Sequence, residues 1–332
     1  MKLPSFEYLE PATVKEALAM LDTYQDRVAI IAGGTELVNR LRLRLISPDY
    51  VMNIKKLRDL EGIGAREQSV VIGANVTIKE ISASSLFREK YQAIAEAASQ
   101  VAAPPLAQMG TVGGNILQNT RCLLYNQSGI VLKGLAVCHK RGGATCLAVK
   151  GSKRCFSVYQ GDMAPALMAF DAQCVLAKSG SQRTIPLREL FTGQGTKPFS
   201  IENNELLTGI IVPQQSGAYG SAYRKLRLRG SIDYPLASAA ALLAIGSDRK
   251  IAVSRLVIGA AGCAPKVVER ASAMLLGKLP EEADFKAASD LAYGLSEGVD
   301  NLALPGDYRR KMVRVLSQRA LAGACTDMKR GE

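Results

Sequence analysis

The stretch from Arg27 to Leu37 constrains this chain more than any other. Arg27-Val28-Ala29-Ile30-Ile31-Ala32 reads as a buried strand that runs straight into Gly33-Gly34-Thr35 and then into a helix from Glu36. Two glycines between strand and helix leave backbone N–H groups facing outward, and let an anion approach them closely. Around this unit, Thr13-Val14-Lys15-Glu16 and Thr77-Ile78-Lys79-Glu80 each fit a capping box that opens a helix. Strands are expected at 50–54 and 69–74, and an alanine-rich helix at 94–102. The alternation argues for an α/β or α+β region.

A second glycine turn follows at Thr111-Val112-Gly113-Gly114-Asn115. Two facing sets of donors suit a diphosphate better than a monophosphate. Neither turn matches G-x-G-x-x-G, and no G-x-x-x-x-G-K-[ST] sequence is present, so each turn taken alone reads as well as a plain bend. The carboxylates Glu36, Asp162 and Asp233 are dispersed and form no recognisable acid–base pair. His139 is the only histidine and reads as a solvated loop residue, so no Ser/His/Asp or Cys/His arrangement is available. Tyr223 to Arg229 alternates, with Lys225, Arg227 and Arg229 on one face. That face is either solvated, or it brings Lys225 near a ligand and the arginines to an acidic partner.

Four of the seven cysteines, Cys122, Cys138, Cys146 and Cys155, fall within 34 residues, spaced C-x15-C-x7-C-x8-C. Structural zinc sites pair their ligands closely, as C-x2-4-C, and no such pair occurs here. Iron–sulfur clusters accept wider spacing when a shaped loop gathers four thiolates. The neighbours Arg121, Lys140, Lys153 and Arg154 would suit a site of net negative charge. An iron–sulfur cluster, a zinc site and four free thiols all remain open on spacing alone. Cys174, Cys263 and Cys325 stand singly in apolar surroundings. An odd cysteine count without an apolar export signal argues against a disulfide framework and for a cytoplasmic protein.

With 332 residues the chain is long enough for two domains, and the boundary is placed in Pro213-Gln214-Gln215-Ser216-Gly217. Beyond it, strands are expected at 221–228 and 251–258, and helices at 267–276, 282–295 and 307–321. No apolar run reaches the roughly 18–20 residues that span a bilayer, so no membrane partner is expected. Net charge is +12, but the basic residues are dispersed and only 5% of residues are aromatic. No nucleic-acid partner is therefore expected; an acidic protein partner, or simple solvation, accounts for the charge.

These pieces resemble the flavoprotein (medium) subunits of the molybdenum hydroxylase, or xanthine oxidase, family. The likeness runs through Phe6-Glu7-Tyr8 to Pro11-Ala12-Thr13, Ala32-Gly33-Gly34-Thr35-Glu36-Leu37 and Ile72-Gly73-Ala74-Asn75-Val76-Thr77. It continues in Thr111-Val112-Gly113-Gly114-Asn115, Gly161-Asp162-Met163-Ala164-Pro165-Ala166-Leu167 and Ser221-Ala222-Tyr223-Arg224-Lys225. The resemblance implies an α+β chain. Its first part, residues 1–215, would be a two-part FAD-binding domain of the vanillyl-alcohol-oxidase/MurB-like (PCMH) type. Residues 216–330 would form a small α+β domain of the CO dehydrogenase flavoprotein C-terminal type. By the same resemblance, Ala32, Gly33, Gly34, Thr35, Glu36 and Leu37, with Thr111, Gly113, Gly114 and Asn115, hold the FAD pyrophosphate. Asp162 anchors the ribityl or adenosine side, and Leu206 and Lys225 lie near the isoalloxazine. No catalytic residue is expected on this chain.

One branch of the family carries a cysteine loop like that at about 120–157. Thr120-Arg121-Cys122-Leu123-Leu124-Tyr125-Asn126-Gln127-Ser128, followed by three more cysteines, resembles the β subunits of 4-hydroxybenzoyl-CoA reductases. There the loop holds a [4Fe–4S] cluster, which implies Cys122, Cys138, Cys146 and Cys155 as its ligands. The implied function is an FAD and [4Fe–4S] electron-transfer subunit of a heteromeric molybdenum enzyme of aromatic degradation, one that removes a phenolic hydroxyl from an aromatic acyl-CoA. A molybdopterin-binding large subunit, a [2Fe–2S] small subunit, a ferredoxin or similar donor, and a dimer of heterotrimers come with that reading. The alternatives are an NAD- or other acceptor-linked hydroxylase of xanthine or CO dehydrogenase type, and a zinc-stabilised interaction module without redox function.

Overall fold

The computed structural model describes residues 2–328, so the expected end of the second unit at residue 330 lies outside them. Three sheets organise the chain. The first joins β1 (Glu7–Leu9), β2 (Val28–Ile31) and β3 (Tyr50–Asn53) in the order β1-β3-β2, all parallel. The second holds β4 (Ile63–Arg66), β5 (Ser69–Gly73), β6 (Gln173–Lys178), β7 (Ser181–Pro186) and β8 (Leu206–Pro213), antiparallel in the order β4-β5-β8-β6-β7. The third runs β12-β11-β10-β9, with β9 (Tyr219–Leu226), β10 (Ala237–Ile245), β11 (Ile251–Gly259) and the short β12 (Lys266–Val267).

Local chemistry sets the helix starts. Thr13 accepts from the Glu16 N–H at 3.1 Å, while the Glu16 carboxylate accepts from Ala12 N–H at 2.7 Å. Thr77 and Glu80 close a full capping box, with the Glu80 carboxylate 2.7 Å from the Thr77 N–H. The segment read from sequence as a second glycine turn is in fact the opening of the helix Val112–Ile116, capped by the Thr111 hydroxyl on the Gly114 N–H at 3.1 Å. This helix start is held against the continuation of β5. Val112 N–H donates to Val76 O, and Gly113 N–H to Ala74 O.

The third sheet carries an element the sequence pattern hid. β10, Ala-Ser-Ala-Ala-Ala-Leu-Leu-Ala-Ile, is buried along almost its whole length. Helix Met163–Ala169 packs on it, as does the long helix Gly306–Met328. Covering of this kind removes the polar–apolar alternation by which a half-buried strand is recognised. Helix Gly306–Met328 also runs past the expected stop at 321. The largest apolar core joins the second sheet to helices Ile78–Ala83, Gln92–Ser99 and Met163–Ala169, and continues into β9, β10 and β11. A second core lies between the third sheet and the C-terminal helices. No helix among the described residues is long and apolar enough to cross a membrane.

Candidate cofactor cleft and cysteine cage

The two glycine segments meet. A side-chain carbon added at Gly33 would fall inside the van der Waals radius of the Met109 carbonyl oxygen, so only glycine lets β2 turn this close to the neighbouring loop. Thr35, Glu36, Thr111 and Gly114 form the waist of a cleft with two ends. The larger end is lined by Ala32, Gly33, Gly34, Leu37, Gly113 and Leu206, which the sequence singled out. The smaller end is lined by Asn115 and Asp162, with Gln118, Asp233 and Tyr234. The N–H groups of Val112, Gly113, Gly114 and Asn115 are already bonded to Val76 O, Ala74 O, Thr111 Oγ and Thr111 O, so the second segment does not supply the facing set of donors expected of it. A waist with the Gly33-Gly34 turn on one side, between two roomy ends, still fits a dinucleotide with its diphosphate in the middle.

Lys225 does not line the cleft. Its ammonium, fully buried, sits 2.9 Å from the Asp162 carboxylate and donates to the Gln100 carbonyl at 3.0 Å. Tyr223, two residues earlier on the same face of β9, donates its hydroxyl to Asp162 at 2.7 Å. Of the two readings of this face, the solvated one fails at Lys225, which turns inward with Tyr223 to hold one buried acid. Arg227 and Arg229 lie past the end of β9; Arg229 pairs with Asp233 at 2.6 Å. Burial lifts the Asp162 carboxyl above its ordinary range, against the pull of the Lys225 charge and the Tyr223 hydroxyl. Leu206 lies at the opposite end of the cleft from Asp162 and Lys225. The structure does not bring Leu206 and Lys225 together as the resemblance implied.

Three polar residues lining the larger end had not been singled out. Asn75 donates to the Ile54 carbonyl at 2.6 Å, leaving its buried Oδ1 without a hydrogen-bond partner. Arg40 Nε is likewise buried and unpaired. Both line the larger end, where a polar ligand would satisfy them. Glu205 stands beside Leu206, bound by Arg183 at 2.6 and 2.7 Å, and this guanidinium draws its carboxyl below the ordinary range. Asn75 was legible as the one polar residue between Ile72 and Val76. Nothing local marked Arg40 or Glu205.

Cys122, Cys138, Cys146 and Cys155 line one cavity. Among the described residues, no group of three or more His, Cys, Asp or Glu side chains is disposed to hold a single metal ion. The four cysteines stand around a space instead. Hydrogen bonds shape the wall: Arg121 and Val158 exchange backbone bonds at 2.7 Å, and Asn126 accepts from Cys122 N–H at 2.9 Å. Across the cavity, Gly143 N–H donates to Cys138 O at 3.0 Å. Asn301, from the far end of the chain, accepts from Leu123 N–H at 2.8 Å and donates its amide to Phe156 O at 2.5 Å. Burial pushes the Cys122 thiol up, and the charges of Cys155 and Cys146 add to this. His139, expected to be solvated, lines the cavity half-buried and hydrogen-bonds the Ser152 carbonyl at 2.9 Å. Cys263 lies just outside, its thiol donating to Cys155 O at 3.3 Å and pushed up to about 12 by burial.

Two cations tie this cage to the cleft. Arg121, adjacent to Cys122, pairs with Glu36 at the waist, donates to the Tyr234 hydroxyl at 2.6 Å, and stacks 3.8 Å over that ring. Lys140 donates to Asn119 Oδ1 at 2.6 Å, to the carbonyls of Thr120 and Gly195 at 2.9 Å, and to the Thr120 hydroxyl. Its pKa is lowered to about 8, chiefly by burial. The loop 120–157 holds seven basic residues (Arg121, Lys133, Lys140, Arg141, Lys150, Lys153 and Arg154) and no acidic one.

Residues 4–215 match the family described as the FAD binding domain in molybdopterin dehydrogenase, and residues 221–324 match the CO dehydrogenase flavoprotein C-terminal domain. Similar proteins include the carbon monoxide dehydrogenase medium chain of Hydrogenophaga pseudoflava, 28% identical over 97% of each chain. Another is the nicotinate dehydrogenase FAD-subunit of Eubacterium barkeri, 26% identical over 98% of this chain and 100% of that one. Among solved structures, carbon monoxide dehydrogenase from Hydrogenophaga pseudoflava superposes with a TM-score of 0.80 at 27% identity, over 98% of this chain and 99% of that chain.

Proposed function

This chain belongs to the family of FAD-binding chains of the molybdopterin dehydrogenases, and we propose that within it the chain is an electron-transfer subunit with two redox sites, FAD in the cleft and a [4Fe–4S] cluster in the cysteine cage. As an oxidoreductase component of the flavoprotein type, it is no zinc-stabilised module without redox function. When bound, FAD links one-electron to two-electron chemistry, and a cluster held by four thiolates passes single electrons.

The observation that carries the reading is the joining of the two sites. Four cysteines ring one cavity, and the residue next to Cys122 reaches the waist of the cleft through its ion pair with Glu36. The chain's own part is to bind and orient. Ala32 to Leu37, with Thr111 and Gly113 to Asn115, surround a diphosphate. Asp162, steadied by Lys225 and Tyr223, presents a buried acid at one ring-binding end, while Leu206 and the free acceptor of Asn75 face the other. The acid-free, basic loop suits an acidic electron carrier of ferredoxin type, so that electrons would enter at the cage and leave through the cleft. Substrate chemistry, reductive dehydroxylation of an aromatic acyl-CoA, would lie on a molybdopterin-binding large subunit reached through a [2Fe–2S] small subunit. The assembly would be a cytoplasmic dimer of heterotrimers, with the boundary between the two units of this chain at residue 215.

Absorption spectra with iron, sulfide and flavin analysis of the anaerobically purified complex test this directly. Cys146→Ser is expected to lose about four iron per copy of the chain while keeping its FAD. Unchanged iron would sink the cluster reading. The dehydrogenase names of the relatives favour a second reading, a hydroxylase passing electrons outward to NAD or another acceptor. Rapid bleaching of the flavin band by NADH would select it.

A further inference from the structure

Lys140 is an unusual residue to find in a redox loop. Its ammonium lies inside, lining the cavity with Cys122, Cys138, Cys146 and Cys155. The acceptors it holds belong to three separate stretches of chain. Asn119 and Thr120 lead from the cleft residue Asn115 to Cys122, Ser157 follows Cys155, and Gly195 comes from the loop after β7. There is no room for a side chain at Gly195, where an added carbon would press on Ser157 Oγ and Cys155 Sγ. The loop carbonyl is thus packed against the cage, with the lysine bound to it.

Of the other basic side chains near the cavity, Arg40 reaches Tyr125 on its wall and its charge acts against that of Lys140, while three more are committed elsewhere. Arg121 is paired with Glu36, and Arg141 donates to the Leu132 carbonyl. Arg154 is 58% exposed and lies 3.6 Å from Glu297, with its guanidinium 4.2 Å over the Phe156 ring. None of these three is among the cavity-lining residues. All of Lys140's nearest partners are neutral oxygens, and among the described residues no carboxylate pairs with it. A neutral donor would suffice to tie three loops together. A buried cation does more, because it favours any negative charge added to the space it faces.

We propose that Lys140 is a positioning residue that sets the reduction potential of the cage, its positive charge stabilising the one-electron-reduced state while its hydrogen bonds hold the Asn119–Arg121 link toward the cleft. The inference rests on reading the cage as an iron–sulfur site.

The test is a dithionite titration with redox mediators on the complete heteromeric complex, following the EPR signal of the reduced cluster. Wild type is compared with Lys140→Gln, which keeps donors but removes charge, and with Lys140→Arg, which keeps charge. Lys140→Gln is expected to lower the midpoint by at least a tenfold change in the reduction equilibrium, ~59 mV for one electron, while Lys140→Arg stays near wild type. Loss of iron from Lys140→Gln with retention in Lys140→Arg also upholds the requirement for charge. A Lys140→Gln midpoint equal to wild type overturns the proposal. So do equal shifts, or equal iron loss, in both variants. Iron analysis of the wild type separates the two levels: a wild-type chain with no loop iron removes the cage reading itself, and the proposal with it.

Discussion

At the scale of single residues, the pair Asp162–Lys225 holds the narrower end of the cleft in shape. A buried acid left without its cation is costly, on the order of 3–5 kcal/mol, even when the surroundings relax. Lys225→Met should therefore lower the stability of the chain by roughly 3 kcal/mol in urea denaturation and weaken FAD retention. Adding Asp162→Asn should recover part of that loss, since the two groups act together. A double variant less stable than Lys225→Met alone would show that the pair is not the unit of stability. The cleft was partly legible at this scale. Ala32 to Leu37, Thr111 to Asn115 and Asp162 all stand at it, because glycine turns and an acid before an apolar helix leave marks in a short window. Arg40 and Tyr234 were not, because their surroundings come from elsewhere; Tyr234 meets Arg121 across 113 residues of chain. Lys225 was read on the right strand, but its direction depended on where Asp162 would lie.

Among elements, the helix Gly306–Met328 and the strand β9 meet more closely than side chains ordinarily allow. A carbon added at Gly220 would run into the backbone at Ala324 and Met328, and one added at Gly323 would press on Ala222 and Arg224. Gly220→Val should force the helix outward and destabilise the chain by about 1–3 kcal/mol, as overpacking does. Gly64→Ala, at an exposed glycine with open space around it, should change the melting temperature little by comparison. Equal melting temperatures for the two variants would contradict the close approach. The same closeness explains why β10 escaped recognition: its alanines serve contact on two sides and have neither the alternation nor the β-branched residues of an ordinary strand. β7 escaped for the opposite reason, being polar and largely exposed or half-buried. The helices capped at Thr13 and Thr77 needed no tertiary information and both formed, although the full capping box closes only at Thr77, Glu16 taking the Ala12 N–H at the first.

On the scale of the whole molecule, charge is unevenly distributed. The excess of +12 is general, yet one loop carries seven of the basic residues and no acid. Apolar side chains stand beside them: Ile130 is 86% exposed, and Leu123, Val131 and Val137 are exposed as well. Association with an acidic electron carrier should slow as salt rises from low to physiological ionic strength, where the screening length falls to about 8 Å. Lys150→Glu with Lys153→Glu should slow reduction by such a carrier roughly tenfold at low salt while leaving iron and flavin content unchanged. A rate insensitive to both salt and the double substitution would place docking elsewhere. The cage itself depends on distant parts of the chain, since Asn301 fastens both Leu123 and Phe156, the latter across 145 residues. This has a consequence for biogenesis. A chain growing on the ribosome displays all four thiols long before the residue that latches them has been made. At about 5–20 residues per second, many seconds pass with the thiols in an unlatched loop before Asn301 is made.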